Sequence, residues 1–192
     1  MKDTRSCLTA RGAEQDSLPM KWRRGIKRSK STTITAKFRR KGTENEYFLA
    51  WTTTPWTLAA NVALAAGPEI DYVKAEKEGS IYYVAKALAD EVLGEGGYTV
   101  LQEMKGKELE YMEYEQLMPF LSSDRKAFFV TCADYVSTEE GTGLVHIAPA
   151  FGEDDYQTGR RYDLPVVNPV DEQGKYTETP WKADSLWKTA WT

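Results

Sequence analysis

What most restricts the fold of this chain is the brevity of its apolar segments. From Thr32 onward they are short, alternate with polar positions, and stop at turn formers such as Lys41-Gly42-Thr43-Glu44-Asn45, Pro55 and Gly96-Gly97. Alternation bounded by such residues is the pattern of half-buried strands. The run Thr33, Ile34, Thr35, Ala36, Lys37, Phe38 and the run Tyr47, Phe48, Leu49, Ala50, Trp51 predict a hairpin about the Gly42 turn. Pro55 ends its second strand, leaving a short helical turn over 58–61. Further strands are predicted at 71–76, 81–84, 98–101, 127–135, 144–148 and 166–167. A helix is predicted over 86–93, ended by Gly96-Gly97. A second is predicted over 153–162, with Gly152 before it and acidic residues in its first turn, where the helix dipole favours them. Many short strands with few short helices predict an α+β, β-rich, barrel-like fold rather than a doubly wound one.

A chain of 192 residues is long enough for one domain with a full core. Its net charge of −4 supplies no global basic field to hold a polyanion, so weak nucleic-acid affinity is expected of the isolated chain. Cys7 and Cys132 stand far apart with no CxxC pattern, and a single histidine leaves no metal-ligand set. Cys132 reads as a buried reduced thiol. No apolar stretch approaches the roughly 20 residues that cross a bilayer, and no secretory signal is recognisable, so the cytoplasm is the expected location.

Four polar features carry the chemistry, and each also has a plain structural explanation. Thr52, Thr53 and Thr54 precede Pro55; three consecutive hydroxyls cannot share one face of a strand unless the chain turns, which Pro55 provides. Alone, they read as strand-forming threonines. His146 lies between Val145 and Ile147, so its side chain points opposite to theirs; alone, it reads as a hydrogen-bonded structural histidine. Glu153 and Asp154 suit a helix start, whereas Asp155 lies deeper, where it could point back to a pocket and a buried carboxylate would suit a cationic ammonium group. Gly141 and Gly143 flank Thr142 and permit either close backbone approach to a ligand or a hairpin turn. No GxSxG elbow, P-loop or GxGxxG is present. An enzyme built from these parts would activate water by positioning rather than through a covalent nucleophile.

The stretch Trp51-Thr52-Thr53-Thr54-Pro55-Trp56-Thr57-Leu58 with Asn61 resembles the editing domain of the isoleucyl-tRNA synthetase family. So does Gly141-Thr142-Gly143-Leu144-Val145-His146-Ile147-Ala148-Pro149, followed by Gly152-Glu153-Asp154-Asp155-Tyr156. Leu164-Pro165-Val166-Val167-Asn168-Pro169-Val170-Asp171 fits the same family. Valyl and leucyl relatives carry Thr-Thr-Arg-Pro, so Thr54 and Trp56 favour the isoleucyl branch. The resemblance runs from about Thr32 to Trp181 and implies a barrel-like domain that hydrolyses valine from mischarged tRNA(Ile). One methylene gives only about 1–3 kcal/mol of selectivity, a limit for which isoleucine against valine is itself the standard illustration, so a second sieving site is needed.

By this resemblance Asp155 holds the α-ammonium group, and Thr52, Thr53 and Thr54 place the ester and the attacking water. His146 borders the side-chain pocket and helps reject isoleucine. Trp56 forms part of the wall or contacts the terminal adenosine, and Gly141 and Gly143 approach the substrate. Editing implies no cofactor and no metal; ATP belongs to the full-length synthetase, whose His-Ile-Gly-His and Lys-Met-Ser-Lys-Ser signatures do not occur here. The implied partners are tRNA(Ile) carrying valine at its 3′ end and the remainder of a synthetase, with no membrane. The alternative is a non-catalytic or unstable remnant that at most binds aminoacyl-tRNA.

The expected organisation is an editing domain over 32–182 between two ends that do not resemble the family, 1–31 and 183–192. The first is basic, with Lys21, Arg23, Arg24, Lys27, Arg28 and Lys30 close together. Permitted codons for residues 18–30, shifted by two bases, can encode a family-like approach to this domain, and a shift after Lys182 does the same for the tail. Both ends are therefore expected to be translated out of frame, although degenerate codons permit many strings. Sequencing the parent DNA decides this: absence of a nearby insertion or deletion would end the idea.

Overall fold

The computed structural model of the chain describes residues 33–118, 124–172 and 175–176. The expectations for 1–31 and 183–192 fall outside these residues. Strand β1 (Ile34–Arg39) and strand β2 (Glu46–Thr52) form the antiparallel hairpin anticipated from alternation, with Ile34 opposite Thr52 and Arg39 opposite Tyr47. Ile34, Ala36 and Phe38 face inward and are buried, as period-two patterning requires. A 3-10 turn over Pro55–Ala60 follows β2, with Pro55 in its first turn.

Strand β3 (Ala63–Ala66) comes next, then β4 (Asp71–Lys77) and β5 (Ser80–Ala85). The β4–β5 hairpin closes through Glu78 and Gly79, both left-handed (φ 52° and 77°), which is what a two-residue turn of primed type demands. A 3-10 turn (Lys86–Leu88) leads into helix α1 (Ala89–Leu93). The helix stops at Gly94, whose N–H bonds to the Asp90 carbonyl at 2.9 Å, before the Gly96-Gly97 pair named in the sequence reading. Strand β6 (Thr99–Lys105), helix α2 (Gly106–Leu109), strand β7 (Phe129–Cys132), strand β8 (Leu144–Ile147) and helix α3 (Glu153–Arg161) complete the order.

The strands make two sheets, β1-β2-β5-β4-β6 and β7-β3-β8. The fold is thus strand-rich α+β as expected, but among the described residues no ladder joins the two sheets into one closed barrel. Segment 127–135 forms a strand only over Phe129–Cys132, and 166–167 forms none. Alternation sorts side chains between layers. Phe48, Ala50, Tyr83, Ala85, Tyr72, Leu64 and Ala66 point into the core between the sheets, where Phe48 stacks on Tyr83 with centroids 4.8 Å apart. Leu49, Val73, Ala75, Tyr82 and Val84 point the other way, under Ala89 and Leu93 of α1. Ala63 and Ala65 face a third cluster with Val62, Phe129, Ile147 and Leu164.

The sheets meet along a narrow seam. Ala85 N–H bonds to the Thr142 carbonyl at 2.9 Å, and the buried Tyr72 hydroxyl donates to the Gly143 carbonyl while accepting Gly67 N–H at 2.9 Å. This seam fixes the loop that leads into β8. Among the described residues no helix is long and apolar enough to cross a membrane.

Candidate functional site

The site grows from the end of β2, where the chain turns at Pro55. Thr52 is the last residue of β2 and is buried; Thr54 is half-buried and Thr53 is exposed. Leaving the strand puts Thr52 and Thr54 side by side. Thr54 N–H donates to Thr52 Oγ1 at 3.0 Å, and the two hydroxyls lie 3.3 Å apart. Thr57, buried in the 3-10 turn, donates its hydroxyl to the Thr54 carbonyl at 2.8 Å and lies 3.2 Å from Thr54 Oγ1. Thr57 Oγ1 also lies 2.9 Å from Nε2 of His146, which β8 presents from the adjacent sheet. A continuous polar chain therefore runs Thr52, Thr54, Thr57, His146.

The chain fixes the histidine's proton. With the Thr57 hydrogen directed at the Thr54 carbonyl, Nε2–H donates to Thr57 and Nδ1 is left as a bare acceptor. Nδ1 is buried and has no partner among the described residues. The opposite tautomer would bury an unpaired N–H at that position, which costs more than an idle lone pair. Burial pulls the His146 pKa down to about 4, so the ring is neutral near pH 7 and only weakly basic.

Asp155 enters from α3. Its Oδ2 accepts Ala148 N–H at 3.0 Å, which ties the third residue of the helix to the chain just beyond β8, two residues after His146. Gly152 makes room: a Cβ there would sit 3.2 Å from the Asp155 carboxyl carbon. Burial pushes the Asp155 pKa up, with Asp154 adding to the rise and the Ala148 amide opposing it. A half-buried carboxylate held by one amide and no cation gains from an ammonium group placed beside it.

Thr52, Thr54 and His146 are thus joined through Thr57 where β2 and β8 adjoin, and Asp155 is anchored to the chain two residues beyond His146; the other residues named from sequence stand outside these contacts. Thr53 faces solvent. Trp56 is 38% exposed, and its carbonyl takes the Tyr176 hydroxyl. Gly141 and Gly143 are left-handed (φ 85° and 75°), and what approaches them is the protein: Trp51 lies 3.1 Å from a Cβ built at Gly141, and the Ala85 Cβ 2.3 Å from one at Gly143. The sequence reading gave these glycines to the substrate; their close contacts are the sheet seam. It also missed Thr57 as a site residue, although a hydroxyl three residues after Thr54 in a proline-started turn was the available signal.

Among the described residues no group of three or more His, Cys, Asp or Glu is arranged to hold a metal. Cys132 is buried, with its thiol pushed up to about 11 by burial, and takes no part in the cluster. Two clefts of about 360 and 350 Å3 both border Asp134 and Arg161, the first also Cys132, and neither is lined by the site threonines. The arrangement at the β2–β8–α3 junction can orient a water molecule and an ester by hydroxyl hydrogen bonds and hold a cation at Asp155.

No family model matches the chain. Isoleucine–tRNA ligase of Clostridium novyi is 55% identical over 160 residues, covering 82% of this chain and 15% of the ligase. The ligase of Pyrococcus abyssi is 48% identical over 167 residues, covering 80% and 16%, and that of Picrophilus torridus 44% over 158 residues, covering 82% and 15%. The chain spans about 15% of the length of these curated relatives. Among solved structures, the cytosolic leucyl-tRNA synthetase editing domain of P. knowlesi superposes with a TM-score of 0.56 at 13% identity, covering 74% of this chain and 73% of that one. The structure described as GlLeuRS-CP1 does so at 0.55 and 18%, covering 70% and 65%. With sequence kinship along four-fifths of its length and the fold of these editing domains, the chain belongs to the isoleucyl-tRNA synthetase family as a segment with editing-domain architecture.

Proposed function

We propose that this chain hydrolyses the ester joining a wrongly attached amino acid to tRNA, and that its substrate is tRNA(Ile) carrying valine. The observation that carries the reading is the linked set Thr52–Thr54–Thr57–His146 lying two residues from the amide that anchors Asp155. Asp155 receives the α-ammonium group. The Thr52 and Thr54 hydroxyls orient the attacking water and stabilise charge developing on the carbonyl oxygen. Water adds to the carbonyl carbon, the bond to the ribose oxygen breaks, and a proton leaves with that oxygen, giving free amino acid and tRNA. His146, neutral and fixed by Thr57, is a rigid wall of the side-chain pocket that favours the smaller residue. Hydrolysis of this kind uses no metal or cofactor, and ATP-dependent activation belongs to the parts of a synthetase this segment does not span.

The test is deacylation of Val-tRNA(Ile) and Ile-tRNA(Ile) by this chain and by Asp155→Ala. Faster valine release, lowered by Asp155→Ala at least about 30-fold, is expected, since removing one partner of a buried charge contact costs 2 kcal/mol or more. Equal release of both amino acids, or release unaffected by the substitution, would refute the reading.

A further inference from the structure

At the C-terminal end of α3, a cavity of about 360 Å3 is lined by Tyr111, Tyr162, Glu110, Asp134 and Arg161, with Cys132 in its wall. Neither the threonine chain nor His146 borders it. Opposite charges meet there without pairing: Arg161 makes no ion pair with Glu110 or Asp134 among the described residues, although all three act electrostatically on the Cys132 thiol between them. Glu110 keeps one carboxylate oxygen on the Tyr162 hydroxyl at 2.5 Å, and that hydroxyl accepts Cys132 N–H at 3.0 Å. The Asp134 and Arg161 side chains are exposed at the cavity edge and make no hydrogen bond to another described residue.

Tyr111 supplies a flat wall. The residue is 56% exposed, and its ring stacks on Phe129 with centroids 5.7 Å apart and planes 23° apart, so one face is supported by the protein. Tyr162 meets it edge-on at 5.9 Å, and the Lys126 ammonium lies 5.8 Å from its centroid. Tyr111 is left-handed (φ 63°), a conformation that is costly for an aromatic residue and that recurs at ligand sites.

An aromatic platform, a guanidinium fork and a separate carboxylate define a specific ligand. Arginine pairs with guanine through O6 and N7, whereas a carboxylate accepts the N1–H and N2–H donors on the opposite edge; adenine offers neither match. Exposed aromatic side chains stack unpaired bases. We infer that this cavity binds a guanine base, with Tyr111 stacking on it, Arg161 on O6 and N7, and Asp134 on the N1 and N2 donors. The base comes from a free guanine nucleotide or from an unpaired guanine in an RNA strand.

The experiment titrates the full chain with GMP, IMP and AMP, following the Tyr111 ring and Arg161 side-chain resonances by NMR. GMP should bind at least about tenfold more tightly than IMP, which lacks the 2-amino group, or AMP, in line with the discrimination of a bidentate base contact. Asp134→Asn should erase the GMP–IMP difference. Tyr111→Gly, which relieves the left-handed backbone, should weaken all three nucleotides, and Tyr111→Phe should restore them. A short RNA with one unpaired guanine that binds as GMP does would assign a strand as the source; GMP binding alone would assign a free nucleotide. Equal affinity for GMP and AMP, or GMP binding unchanged in Asp134→Asn, overturns the inference. None of these readouts depends on ester hydrolysis, so they stand apart from the editing reading.

Discussion

Replacing Gly143 with alanine tests the seam on which the site depends. At φ 75° an alanine pays the left-handed penalty, about 1–2 kcal/mol. Its Cβ would also lie 2.3 Å from the Ala85 Cβ, where carbon atoms rest at about 3.5–4.0 Å. The two sheets must then move apart by more than an ångström, straining the Ala85-to-Thr142 and Tyr72-to-Gly143 hydrogen bonds. Overpacking of this kind costs about 1–3 kcal/mol, and the stiffer unfolded chain returns about 0.4–1 kcal/mol. The expected loss is about 2–4 kcal/mol. Gly42→Ala is the matched control, because Gly42 has nearly the same φ, 80°, with nothing within 4 Å of the added methyl. Urea unfolding followed by tryptophan fluorescence measures both variants, with coincident circular dichroism checking two-state behaviour. Gly143→Ala should lose at least about 1 kcal/mol more than Gly42→Ala, the smallest overpacking cost. Equal losses would show that no close approach exists, and lost hydrolysis with Gly42-like stability would return Gly143 to the substrate.

Three other outcomes follow from the same geometry. Because His146 is the chain's sole histidine, its ring resonances are unambiguous: they should titrate near pH 4, and since the folded pKa lies below the usual 6.5, its contribution to stability should fade as pH drops from 6.5 towards 4; a midpoint between 6 and 7 would refute its burial. Burial pushes Glu46 up, but hydrogen bonds from Lys74, Arg40 and Tyr83 outweigh that and bring it to about 2, so stability linked to Glu46 is present above pH 4.5 and lost between 4.5 and 2; Glu46→Gln should flatten that window, and an unchanged acid profile would contradict the network. Thr54→Ala should slow deacylation by about 10²-fold, the cost of losing one positioned hydroxyl, whereas exposed Thr53→Ala should change it less than about twofold; equal effects would remove the distinction drawn from burial.

How much of this was legible in the sequence depends on the range of the forces involved. The hairpin, the Pro55 turn and α3 were readable because alternation, proline and first-turn acids act within a few residues. β3 was not: Ala63, Leu64, Ala65 and Ala66 carry no alternation and three residues that strands disfavour, yet all four are fully buried. What makes them a strand is pairing with β7 on one side and β8 on the other, and those partners lie far along the chain. The same distance hid the seam. Gly141 and Gly143 announce a left-handed loop, but only the arrival of Trp51 and Ala85 says that the protein itself fills the space a ligand was expected to take.

The candidate site was named for a different reason and to a different depth. Its residues sit in two compact motifs, so a resemblance named Thr52, Thr54, His146 and Asp155 together. Their order of contact was not written there, because it depends on β8 lying beside the Pro55 turn. That placement makes Thr57 the link between hydroxyls and imidazole, and it sends Thr53 outward. It also makes His146 a weak base: a buried ring, with Nε2 on a hydroxyl and Nδ1 without a partner among the described residues, cannot take a proton cheaply. Position in sequence made the histidine conspicuous; burial and the Thr57 contact make it a neutral, held ring. Under the proposed function, size selection by the neutral His146 ring and anchoring of the ammonium by Asp155 would fall to different elements, β8 and α3, which the Ala148 amide joins through its bond to the Asp155 carboxylate.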